Sequence, residues 1–140
     1  MSEELYEDAI VALARAAHGA GKPAGEGNSA TIDNPLCGDR VTVEVTLADG
    51  RIKALSHNVK GCLLCKASAS MLGLHAPGAS RDAIAANAAA LDAMLKTGDA
   101  PAYGSWPELA LFLPVSRHKS RFDCVRLPLQ AAAKALGETP

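Results

Sequence analysis

Residues 41–47 restrict the fold more than any other stretch. Val41, Val43, Val45 and Leu47 alternate with Thr42, Glu44 and Thr46, the period-two pattern of a strand with one buried face. Asp49-Gly50 follows, a pair suited to a tight two-residue hairpin turn. Residues 51–59 then return as an antiparallel second strand. Its alternation slips between Ala54 and Leu55, which predicts a bulge at that point. A further short strand at about 30–33 extends the sheet.

Beyond Gly61 the apolar spacing becomes helical. Residues 62–75 place Leu64, Ala67, Met71 and Leu74 on one stripe, and residues 81–96, opening after Ser80, carry Ile84, Ala88, Leu91 and Leu95 at helical intervals. Ser105-Trp106-Pro107-Glu108 has the pattern of a capping box and opens a short helix to about residue 112. Ser120-Arg121-Phe122-Asp123 repeats that pattern before a last helix with Phe122, Val125, Leu129, Ala132 and Leu136 on one face. Pro128 lies inside this helix and has no N–H for the carbonyl of Cys124, so a kink or a delayed start is expected beside that cysteine. An N-terminal helix over 3–18 presents Leu5, Ala9, Ile10, Leu13 and Ala17. The expectation is an α+β fold: a small antiparallel sheet of about three strands packed against about five helices.

Residues 19–29 hold four glycines and read as a mobile surface loop. The glycines do not form a phosphate cradle, which needs a strand before and a helix after them. With 140 residues the chain fits one domain, 1–140. The 14 basic and 15 acidic residues nearly cancel, which speaks against nucleic acid as a partner. The Ala-rich stretch around residues 85–90 is too short to span a bilayer, and Ser2-Glu3-Glu4 is acidic where a signal peptide is basic. A cytoplasmic location with no membrane association follows as the expectation.

In a reducing compartment the four cysteines, Cys37, Cys62, Cys65 and Cys124, point to metal, catalytic or redox work rather than disulfides. Cys37 lies in the loop Asn34-Pro35-Leu36-Cys37-Gly38-Asp39 before the first long strand, Cys62 follows Gly61 at a helix start, and Cys124 lies in the first turn of the last helix. Helix N-termini favour thiolate, the nucleophilic and metal-binding form. Three thiolates with the Asp39 carboxylate satisfy tetrahedral zinc; the same set can hold an iron–sulfur cluster, although such clusters prefer thiolates throughout. Asp39 also reads as an ordinary turn residue. Cys62-Leu63-Leu64-Cys65 has the spacing of a thiol redox motif, but that reading needs a βαβ setting and here a hairpin comes first. Cys65 reads as a packing residue. None of His18, His57, His75 and His118 has metal-ligand spacing to a cysteine. The run Arg117-His118-Lys119-Ser120-Arg121, with Arg126 beyond it, reads either as a solvated turn or as a positive rim beside Cys124.

Asn34-Pro-x-Cys-Gly-Asp39, then Gly61-Cys62, then Ala67-Ser-Ala-Ser-Met71, then Arg121-x-x-Cys124 resemble the iron–sulfur scaffold family of IscU, NifU and SufU. The resemblance maps that family's ligand positions onto Cys37, Asp39, Cys62 and Cys124, and gives none to Cys65. It looks closer to the SufU branch. Asp123 stands where IscU-type members have His, Leu113-Pro114-Val115-Ser116-Arg117 is not the Leu-Pro-Pro-Val-Lys chaperone motif, and residues 98–119 resemble the SufU insertion.

What the resemblance implies is a zinc-binding partner in iron–sulfur cluster assembly. It would accept persulfide sulfur on Cys37 from a pyridoxal-phosphate-dependent, SufS-like cysteine desulfurase. Cys124 would share in the chemistry, Arg121 and Arg126 would steer docking, and downstream assembly proteins would be further partners. Such a protein is sulfurtransferase-like rather than a stand-alone enzyme. The alternatives are a scaffold that builds a [2Fe–2S] cluster on the same ligands, and a thiol redox protein using Cys62 and Cys65.

Overall fold

The computed structural model describes residues 7–21, 27–35 and 38–137. Helix α1 (Asp8–Ala16) precedes three strands, β1 (Asn28–Asn34), β2 (Asp39–Ala48) and β3 (Arg51–Lys60). Helices α2 (Leu63–His75) and α3 (Arg81–Thr97) follow, then a 3-10 helix over Pro107–Arg117, a short 3-10 turn over Lys119–Arg121, and helix α4 (Phe122–Ala135). The strands form one antiparallel sheet in the order β1-β2-β3. The α+β architecture expected from the sequence is the one observed.

The alternation of β2 sets the two faces of the sheet. Val41, Val43 and Val45 are fully buried, each worth about 1.5–3 kcal/mol of burial free energy. Opposite them lie Val59, His57 and Leu55 of β3, and Ile32, Ala30 and Asn28 of β1. The turn closes as the dipeptide predicts, with Asp49 at φ 54° and Gly50 at φ 76°. Thr46 pairs with Ala54 and Leu47 with Ile52, so Lys53 is the extra residue of a bulge. The bulge lies one residue from the expected place. It lets Ile52 and Leu55, three positions apart, both face the core.

Helix α4 covers β1 and β2, α2 packs on α4 and β3, and α1 packs on α2. Helix α3 and the long 3-10 helix lie beyond. Nine of the 13 residues of α2 are buried, so this helix runs through the centre of the molecule. Gly73 makes its close approach to the turn after α1 possible: a Cβ there would run into the carbonyl oxygen of His18. Among the described residues no helix is long and apolar enough to cross a membrane.

Several local expectations are corrected. Leu74 of the expected α2 stripe is exposed, because Leu72 and Gly73 face inward instead. Ala9 and Ala17 are likewise exposed, while Ile10, Leu13 and Ala14 carry the buried face of α1; Leu5 lies outside the described residues. The expected loop over 19–29 is partly structured. Residues 28–29 belong to β1, the Gly19 carbonyl accepts from His57 N–H and Gly21 N–H donates to the His57 carbonyl, and Gly27 N–H donates to the buried Glu44 carboxylate at 3.1 Å. Residues 22–26 lie outside the described residues.

Neither expected capping box forms in the segment after residue 98. Trp106 and Arg121 occupy the cap positions without side-chain capping bonds, and the Ser105 hydroxyl donates to the Ala102 carbonyl instead. The helix expected to end near residue 112 continues as 3-10 to Arg117. Helix α4 continues through Pro128. Beside the carbonyl that Pro128 cannot serve, the buried Ser68 hydroxyl donates to the Val125 carbonyl at 2.6 Å.

Candidate metal centre

The site lies where three chain-distant pieces end side by side. Asp39 is the first residue of β2 and pairs with Asn34 at the loop end of the β1–β2 hairpin. Gly38, at φ 75°, makes the turn into it and donates its N–H to the Asn34 carbonyl at 2.8 Å. Strand β3 runs back to the same end of the sheet, where Gly61 leads into Cys62, the N-cap of α2. Helix α4 starts there too and presents Cys124 from its first turn.

One ligand atom from each of Asp39, Cys62 and Cys124 lies within 4.8 Å of the other two. Asp39 and Cys124 are buried and Cys62 is half-buried, so the cluster opens to solvent on the Cys62 side. Cys62 Sγ is 3.8 Å from Asp39 Oδ2, and Cys62 N–H donates to Asp39 Oδ1 at 3.2 Å. The sequence brings these three side chains together as expected. Cys37 and Leu36 lie outside the described residues.

The Cys62 thiol is drawn down from 9.0 to about 6. The hydrogen bond from Cys124 is the largest cause; burial opposes it, the N–H groups of Cys65 and Leu64 add to it, and the charge of Asp39 works against it. Helix α2 therefore begins on a sulfur held as thiolate at neutral pH.

The donor set fits a thiophilic, borderline-soft cation. Zinc–sulfur bonds of about 2.3 Å in a tetrahedron put neighbouring donors about 3.8 Å apart, close to the spacing seen here. The carboxylate also has a space made for it: a Cβ on Gly61 would lie 2.6 Å from Asp39 Oδ1 and 2.8 Å from its Cγ. Sequence reasoning singled out Gly61 only as the neighbour of Cys62; a glycine at the strand end before a candidate ligand was the available signal.

Other candidates go elsewhere. Cys65 has no exposed surface and belongs to the core, the packing role expected of it. Arg126 contacts Asp92 at 2.7 Å and Asp123 at 3.7 Å and lies over the Phe122 ring. Its charge thus serves the packing of α4 on α3. His57 is buried in β3. His75 stacks on Trp106 with ring centroids 5.1 Å apart and bonds Glu108 through Nε2, which fastens the long 3-10 helix to the end of α2.

Comparison with known proteins places this arrangement. Residues 5–102 match the family model described as NifU-like N terminal domain. An iron–sulfur cluster assembly scaffold protein IscU of Streptococcus pyogenes serotype M1 is 27% identical over 105 residues, 75% of this chain and 66% of that protein's length. The crystal structure of an N-terminal NifU-like protein from Brucella abortus superposes with a TM-score of 0.90 at 30% identity, covering 96% of this chain and 94% of that one. This similarity extends past residue 102 to take in α4. A protein of Fervidobacterium islandicum AW-1, described as a scaffold for the SUF system, shares the fold, with a TM-score of 0.80 at 20% identity over 97% of this chain and 99% of its own. The chain belongs to the family of NifU-like N-terminal domains, within the IscU/NifU group that its motifs resemble.

Proposed function

We propose that this chain works in iron–sulfur cluster assembly, and that it does so as a zinc-binding sulfur acceptor of the SufU kind. The convergence of Asp39, Cys62 and Cys124 on one point carries the reading. Cys37, two positions from Asp39 in the adjoining loop, would complete the set. Zinc, when bound, supplies a charge that keeps the thiols deprotonated. The similarity to a named IscU scaffold supports the assembly role. Asp123 before Cys124, the absence of an intact Leu-Pro-Pro-Val-Lys motif and the segment over 98–119 support the SufU branch. The whole chain, 1–140, is read as a single such domain in the cytoplasm.

In the sulfur-transfer step the Cys37 thiolate attacks the terminal sulfur of a persulfide on a SufS-like, pyridoxal-phosphate-dependent cysteine desulfurase. A new S–S bond forms on Cys37, the S–S bond of the donor breaks, and the donor cysteine leaves as thiolate. Arg121, one residue ahead of α4 and three before Cys124, would offer its charge to an acidic partner surface. Arg126, held by Asp92 and Asp123, is less suited to docking.

The same donors suit the second reading, a scaffold that assembles a [2Fe–2S] cluster. One experiment separates them: metal analysis of protein purified without added iron, followed by anaerobic reconstitution with iron and sulfide. Stoichiometric zinc, with desulfurase stimulation lost in Cys37→Ala and Cys124→Ala, supports sulfur acceptance. Zinc-free protein that reconstitutes a stable visible chromophore overturns it in favour of the scaffold. The thiol redox reading has no support, since Cys65 is fully buried and α2 follows an antiparallel hairpin.

A further inference from the structure

We propose that Gly61 is a positioning residue for the centre: its missing side chain is the space in which the Asp39 carboxylate reaches Cys62 and Cys124. This rests on reading these residues as a metal centre. A Cβ on Gly61 would meet Asp39 Oδ1 at 2.6 Å, Cγ at 2.8 Å and Cβ at 3.1 Å, and these are its three nearest atoms. All three belong to the Asp39 side chain. Gly61 is not among the residues with positive φ, so its backbone conformation is open to an alanine. The Asp39 side chain, its carboxylate above all, is what excludes one.

The expected response is therefore local. With alanine at 61 the Asp39 side chain must rotate away, because a carboxylate is easier to move than the backbone of β2, which pairs with β1 from Asp39 onward and with β3 from Arg40 onward. Rotation gives up the bond from Cys62 N–H and withdraws the oxygen from the sulfurs. Both thiols stay in place, since Cys62 caps α2 and Cys124 sits in α4. Removing the group that orients a ligand commonly costs 10–100-fold in metal affinity.

The test compares wild type, Gly61→Ala, Asp39→Ala and the double variant. Zinc affinity is measured by chelator competition and the donor set by the visible spectrum of the cobalt(II)-substituted proteins. Gly61→Ala should lose about 10–100-fold in zinc affinity, keep the thiolate-to-cobalt charge-transfer band, and shift its ligand-field bands as Asp39→Ala does. The double variant should bind no more weakly than Asp39→Ala alone, since residues acting through one contact are not additive. Wild-type affinity in Gly61→Ala overturns the proposal, as does a full further loss in the double variant. Wild-type affinity in Asp39→Ala overturns it together with the ligand role of Asp39, whereas failure confined to Gly61→Ala leaves that role standing. If Gly61→Ala does not fold, the double variant decides: recovery of folding when Asp39 is shortened supports the clash, and continued misfolding overturns it.

Discussion

His57 Nε2 lies 2.7 Å from the carbonyl oxygen of His18, so a residue of the central sheet holds the turn that ends α1. The ring donates from Nε2 to that carbonyl, and Nδ1 is buried without a hydrogen-bond partner. This buried setting favours the neutral imidazole. Burial is the main reason that its pKa falls below the usual 6.5, outweighing the backbone carbonyls that favour the cation.

The consequence is acid sensitivity. The unfolded chain protonates this ring near the ordinary histidine value and the folded chain resists, so below that value the unfolded state binds more protons. The stability tied to neutral His57 is present above about pH 6.5 and declines as pH falls towards the lower folded value. Urea midpoints of wild type and His57→Gln at pH 7.5 and pH 5.5 should differ in slope, the variant losing less on acidification. Equal losses would remove His57 as the source.

Metal-free Cys62 should react with iodoacetamide along a pH profile centred near 6, the value to which the thiol is drawn. Cys124→Ala removes the largest cause of that shift, so the midpoint should move upward. The sign carries over to stability. The thiolate contribution is lost as pH falls from the ordinary thiol range through about 6, so the metal-free protein should gain stability as pH rises across this window.

Gly73→Ala should destabilise by about 3 kcal/mol, the upper part of the range for forcing atoms into a packed interior, with alanine's helix preference returning about 1 kcal/mol. The new Cβ would meet the His18 carbonyl and the Cα of Gly19, and the Ser70 hydroxyl that accepts the His18 N–H at 3.0 Å would move with them. Thermal unfolding checks this. A melting temperature equal to wild type would mean that α1 shifts freely.

Arg126→Ala should cost about 1 kcal/mol in urea unfolding, from the pairs with Asp92 and Asp123 and the stacking on Phe122. Desulfurase stimulation at saturating protein should stay near wild type. A large loss of stimulation with unchanged stability would return Arg126 to the docking surface.

The parts legible in the sequence were those fixed by short-range chemistry. Alternation from Val41 to Leu47 determines which side of β2 is inward, Asp49-Gly50 dictates the turn, and Ser80 caps α3 by accepting from Ala83 N–H. The two other cap motifs failed because a serine hydroxyl can satisfy other backbone groups, as Ser105 does with Ala102, and the 3-10 turns place different residues at the helix starts. Leu74 misled because α2 is buried on most of its circumference, so its own periodicity carries little directional information. The grouping of Asp39, Cys62 and Cys124 was legible because residue types with ligand chemistry are scarce and specific. Gly61 was not, since a space has no side chain to read and acquires meaning only once Asp39 is seen filling it.

Asp39 and Cys62 enter the fold with the sheet and α2, but Cys124 arrives with the last helix, after more than half the chain has separated it from Asp39. On the ribosome the earlier pair would wait as an unfinished half-site until α4 emerges and docks. On the proposed reading, ion capture would then depend on α4, and chains truncated before it would lack one of the three donors gathered there.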